Sequence, residues 1–192
     1  VRRQRQMCIR DRYNCVFAGN SVSGGNSNGQ AVYIEVADFY NNTIADNSGS
    51  GAAIYCGYWF ADGAANIYNT IIYNNSGSSQ VQAHSNVVLR TSHCCYPSGS
   101  ISGVSGANLT QDNIINQVPQ FVDRSSGNKE NNDYRLQGTS PCINAGNNSP
   151  EGITLPETDM DYTDRFKDCS IDIGAYAVSY THLRAHETLM NL

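Results

Sequence analysis

Aromatic and acidic side chains are the residues whose types and spacing could do chemistry in this chain of 192 residues. Tyr58, Trp59 and Phe60 are consecutive and include the only Trp. Flat, rigid rings of this kind stack on sugar rings or on a protein partner. Tyr13, Tyr40 and Tyr68 fall at one aligned position of a repeated phrase and predict an outward aromatic column beside that bulge. The opposing reading folds the 58–60 bulge back over a seam of the fold. The acids Glu35, Asp38, Asp46 and Asp62 are scattered, with no paired-Asp motif, whereas glycoside hydrolysis needs carboxylates that converge. They read as solvated faces. Arg90 is the sole Lys or Arg between Tyr13 and Gln120, so a site for a polyanionic substrate is hard to build. No catalytic residue is therefore assigned.

Metal chemistry has little support. Asp159, Asp161 and Asp164 have a spacing that could chelate calcium, but no Gly stands at the sharp-turn position and no Glu closes the loop. The alternative is that Asp159, Arg165 and Asp172 tie the C-terminal segment down through ion pairs. His84 and His93 are isolated, and adjacent Cys94 and Cys95 point to opposite faces of a strand. No metal and no cofactor is expected. Cys142 and Cys169 form the favoured candidate disulfide, although connectivity cannot be read from sequence.

The elements that position these residues come from repetition. Residues 13–23, 40–50 and 68–78 read YNCVFAGNSVS, YNNTIADNSGS and YNTIIYNNSGS, at spacings of 27 and 28 residues. Such a period signals stacked units, each too small to bury a core alone. Strand alternation sends Phe17, Ile44 and Ile72 to one face as an apolar stack. Asn20, Asn47 and Asn75 follow at the turn, where a left-handed backbone and an amide ladder satisfy buried polar groups. Ala31-Val32-Tyr33 and Ala53-Ile54-Tyr55 supply a second strand per unit. No helical period is long enough for crossover helices. The predicted fold is all-β: a right-handed parallel β-helix over 13–112, followed by a non-repetitive capping segment over 113–177 that covers an exposed edge.

The two ends stand apart. Met7–Asp11 reads Met-Cys-Ile-Arg-Asp and Val178–His182 reads Val-Ser-Tyr-Thr-His, and reverse-complementary codons can encode the two. Residues 1–12 and 178–192 thus resemble translated sequencing adapter and are excluded from fold reasoning. That removes Arg2, Arg3 and Arg5 as a leader signal and the i, i+4 pair His182 and His186 as metal ligands. Over 13–177 six basic and fifteen acidic residues leave a net charge of −9, which repels nucleic acid and anionic lipid. No apolar run reaches the ~18 residues of a spanning helix. High Asn, Ser, Gly and Tyr with little Lys suit an extracellular bacterial surface.

The segments PQFVD, DYRLQGTSPCINAG, DMDYTDR and IDIGAY, following Asn-x-x-[Phe/Ile]-x-x-Asn-Ser units, resemble the C-terminal part of secreted bacterial right-handed parallel β-helix repeat proteins of the kind with a variable cell-surface anchor, within the pectate-lyase-like β-helix group. In that family the tail reads near Asp-Leu-Asp-Gly-Asn-Pro-Arg, and here 159–165 keeps the first and last positions without the Gly and Pro. The resemblance implies secretion or surface display, with adhesion or binding of neutral glycan or a surface protein by a monomer. The rival is a polysaccharide-degrading lyase or hydrolase whose active site lies mostly in preceding turns.

Overall fold

The computed structural model describes residues 12–23, 29–35, 37–57, 63–77, 79–167 and 170–178. Tyr58, Trp59, Phe60, Asp62 and Cys169 lie outside them. Short strands come in successive passes. The first pass holds β1 (Arg12–Tyr13), β2 (Val16–Ala18) and β3 (Val32–Ile34). The second holds β4 (Ala37–Tyr40), β5 (Thr43–Ala45) and β6 (Ile54–Cys56), and the third β7 (Ala64–Tyr68), β8 (Ile71–Tyr73) and β9 (Val81–Ala83). The fourth has β10 (Val88–Ser92) and β11 (Ile101–Ser102), and β12 (Leu109–Asp112) follows.

Each pass adds one rung to parallel sheets ordered β1-β4-β7-β10-β12, β3-β6-β9-β11 and β2-β5-β8. Single bridges Ile71↔Cys95 and Cys95↔Ile115 extend the last of these. The chain is thus nearly all-β with stacked parallel sheets, and its helical content among the described residues is two short 3-10 turns. No helix there is long and apolar enough to cross a membrane.

Register puts like on like: Phe17 on Ile44 on Ile72, and Phe39 on Ile67. These side chains, with Ile54, Val81 and Leu89, fill the space between the sheets; all are buried except Phe17, which is partly buried on the first pass. Each such Ile or Leu contributes about 1.5–3 kcal/mol of burial. Two of the corners repeat from pass to pass. At one, Asn14, Asn41, Asn69, His93 and Asn113 all have φ between 47° and 52°, a left-handed angle that Asn tolerates.

At the other corner Asn20, Asn47 and Asn75 lie above one another. The Asn20 amide donates to Asn47 Oδ1 at 2.8 Å, and Asn47 Nδ2 donates to Asn75 Oδ1 at 2.7 Å. The left-handed angles at this corner belong to the residues one earlier, Gly19, Asp46 and Asn74. The ladder amides therefore serve hydrogen bonding alone, and the preceding position makes the turn.

Beyond Ile115, the last residue bridged to the parallel sheets, the chain forms a tail that contains an antiparallel pair, β13 (Phe121–Asp123) with β14 (Asp133–Leu136). Its contacts run along the flank of the stack. Asn14 Nδ2 donates to the Thr158 carbonyl, Asn69 Nδ2 to the Asn147 carbonyl, and the Ala175 N–H to Thr43 Oγ1. Phe121, Tyr134, Leu136, Cys142 and Ile173 form a second core against Ala45, Ile71 and Cys95. The three-stranded sheet is consequently apolar on both faces, which explains the unbroken Ile71-Ile72 where one-sided burial would alternate. Gly174 (φ 111°) lets the tail lie flush, since a Cβ there would stand 2.8 Å from Ile71 Cδ1.

Candidate functional site

The outward face of the five-stranded sheet gathers Asp38, Arg90 and the tyrosine column. Phe39 and Ile67 point into the core, so alternation turns Asp38, Tyr40, Asn66 and Tyr68 outward. Pairing stacks Asp38, Asn66 and Arg90 in one row and Tyr13, Tyr40 and Tyr68 in the next. Asn66 Nδ2 donates to Asp38 Oδ1 at 2.8 Å, and Arg90 Nη1 donates to Asn66 Oδ1 at 3.4 Å. Beside the polar row lies an open hollow of about 520 Å³ lined by Gly63, Ala64, Asn86, Val88, Arg90 and Asn108.

The tyrosine column is aligned but largely covered. Tyr13 and Tyr40 stack with centroids 5.2 Å apart and planes 15° apart. Tyr13 is 46% exposed, whereas Tyr40 and Tyr68 are 6% and 8% exposed, contrary to the expected open outward column. Rung spacing presses ring on ring, and the tail segment 147–151 passes alongside, with Asn147 bonded to Asn69 and the Glu151 charge felt at Tyr68. Burial, and next the Asp38 carboxylate, push the Tyr68 hydroxyl above its ordinary value.

A second aromatic pair went unrecognised as a surface feature. Tyr33 (44% exposed) and Tyr55 stack at 5.5 Å and 28° on the outward face of the four-stranded sheet. The Ala-Val/Ile-Tyr repeat carried the signal, because a strand with buried flanking residues must aim the middle ring outward. The Tyr33 hydroxyl sits over Gly57, at the start of the segment holding Tyr58, Trp59 and Phe60.

Asp46, read from sequence as a solvated acid, is buried under the tail. Arg124 reaches its two oxygens at 3.1 and 2.5 Å, Asn74 Nδ2 donates at 2.6 Å and the Tyr134 hydroxyl at 3.0 Å. Burial pushes the Asp46 carboxyl up, but donation from Arg124, Asn74 and Tyr134 outweighs it and holds the group below the ordinary carboxylate value. The missed signal was its place in the phrase, where the neighbouring copies carry Gly19 and Asn74.

The expected ion pairs around Arg165 are also replaced. Its guanidinium, 1% exposed, donates to the carbonyls of Gly174 and Ala175 and to Asn14 Oδ1 at 2.8–3.1 Å. Asp159 instead accepts the N–H groups of Asp161, Thr163 and Ala177, and Asp172 accepts those of Asn144 and Val178. A carboxylate that closes its own loop in this way satisfies buried main chain, so it need not contact the cation directly. Burial lowers the Arg165 pKa to about 10 against the opposing pull of Asp159 and Asp172.

Cys142 is buried beside Cys95, and its expected partner Cys169 lies outside the described residues. The family models, curated proteins and solved structures compared with this chain give no match.

Proposed function

We propose that the chain is a section of a secreted, cell-surface bacterial protein whose stacked passes form a right-handed parallel β-helix, and that it acts in adhesion by binding a neutral glycan or a surface protein. The observation that carries this reading is the outward face of the five-stranded sheet. There the exposed Tyr13 ring offers a flat apolar platform, and the Asp38–Asn66–Arg90 row offers directed donors and acceptors to hydroxyl groups. The acidic surface favours a neutral ligand over a polyanion.

The test is calorimetric titration and affinity electrophoresis with a panel of neutral polysaccharides and oligosaccharides. Asn66→Ala and Arg90→Ala each weaken binding about tenfold, the cost of one or two lost hydrogen bonds. Trp59→Ala lowers it further if the 58–60 rings extend the platform. Wild-type affinity in all three variants, or no binding by the parent, overturns the reading.

A polysaccharide-cleaving enzyme is the second reading, favoured by the Asp38 carboxylate and Arg90 guanidinium flanking one amide. Release of new chain ends, abolished by Asp38→Asn, would put it first.

A further inference from the structure

Two of the described cysteines meet across the boundary between stack and tail. Cys95 occupies the rung of the three-stranded sheet after β8, pairing with Ile71 on one side and Ile115 on the other. Its neighbour Cys94 turns into the inner core, and Cys95 turns outward under the tail. Cys142 comes down on it from the tail, held by its own N–H to Ser140 Oγ (3.2 Å) and by its carbonyl, which accepts from the Ile173 N–H (2.9 Å). Cys95 and Cys142 lie in one buried cluster, where each bears on the other, and the Cys95 thiol donates to the Gln117 carbonyl at 3.3 Å. Both residues are fully buried, so packing on every side holds the two side chains in the same cluster.

We propose that Cys95 and Cys142 are a disulfide-forming pair that fastens the tail to the stack. The chemistry is thiol–disulfide exchange. One thiolate attacks a low-molecular-weight disulfide and expels one thiol, and the second cysteine then attacks the mixed disulfide and expels the other. Two protein S–H bonds are lost and one S–S bond forms. The two electrons reduce the small disulfide to two thiols, which take up the two protons.

Order matters in this scheme. The neighbouring Cys95, followed by burial, pushes the Cys142 thiol far above its ordinary value, so docked, reduced Cys142 holds little thiolate and is slow to react. Exchange belongs to the stage when the tail is docking, and the finished bridge is shielded from reductant. Cys142 can bridge only one partner, so this assignment competes directly with Cys169.

The experiment is oxidative refolding of the full chain in a glutathione redox buffer, followed by alkylation in denaturant and non-reducing peptide mapping. The expected map links the peptide holding Cys94 and Cys95 to the peptide holding Cys142. The link persists in Cys94→Ala and Cys169→Ala and is absent in Cys95→Ala. In parallel, reduction under denaturing conditions and refolding without oxidant lowers the thermal midpoint by about 10 °C in the parent and leaves Cys95→Ala unchanged. A Cys142–Cys169 link, or complete alkylation of Cys95 and Cys142 after oxidative refolding of parent and Cys169→Ala alike, overturns the proposal.

Discussion

The stack and the tail satisfy buried polar main chain in opposite ways. In the stack, N–H and C=O groups pair with their counterparts on the next pass, and one residue type, Asn, recurs at the aligned positions 20, 47 and 75. In the tail, single side chains each serve several main-chain groups, as Arg165, Asp159 and Asp172 do. Repetition spreads the work over many equivalent bonds. The tail concentrates it, so one substitution there should cost more than one in the stack.

That contrast can be broken most directly at Arg165. Arg165→Ala strands the Gly174 carbonyl in a buried site, leaves the Ala175 carbonyl with the Met160 N–H alone, and is expected to cost about 4 kcal/mol, with early protease cleavage confined to the tail. Urea unfolding that places Arg165→Ala no lower than a ladder variant removes the distinction.

Asn47→Ala sharpens it from the other side. Asn47 is 1% exposed, accepts from Asn20 and donates to Asn75 Oδ1 and the Phe17 carbonyl, so its loss should cost about 2–3 kcal/mol. Asn20 is exposed at the start of the ladder, and Asn20→Ala should cost about 1 kcal/mol. Equal costs for the two would mean that the ladder contributes no cooperative support.

The smallest effect is the pH dependence of the latch between the two regions. The folded-state pKa of Asp46 lies below the unfolded value, so its contribution is present above about pH 4 and fades as pH falls through the folded value. Tyr134 behaves inversely. Burial first, and Asp46 next among the groups that raise it, move it up to about 12, so its contribution is complete below pH 10 and lost as pH rises towards 12. Unfolding midpoints across pH should fall at both extremes, and Asp46→Asn should flatten the acid limb. An acid limb unchanged in that variant would assign it to other carboxylates.

Legibility in the sequence followed the same division. Spacings of 27 and 28 residues are the separations of the hydrogen-bonded pairs Asn20–Asn47 and Asn47–Asn75, so the rungs could be counted from residue types alone. The inward rank Phe17, Ile44 and Ile72 was readable for the same reason. The flank position of the tail was not, because it depends on unique pairs such as Asp46–Arg124 and Asn14–Arg165, 78 and 151 residues apart, which no period announces. Within the candidate site, strand alternation gives the outward facing of Tyr40 and Tyr68, but Tyr40 is covered by the stacked Tyr13 ring, and the distant 147–151 segment passes Tyr68. A paired Ile71-Ile72 was the local hint that both faces of that sheet are covered.

The flanking tail has a mechanical consequence. Arrays whose units touch only their neighbours fray from whichever end is loosest. Here Arg165 grips the first pass through Asn14, Arg124 the second through Asp46, Asn147 the third through Asn69, and Cys142 the fourth at Cys95. A load applied to one rung is therefore shared by all four, and the array behaves as a splinted beam that yields as a block instead of peeling layer by layer.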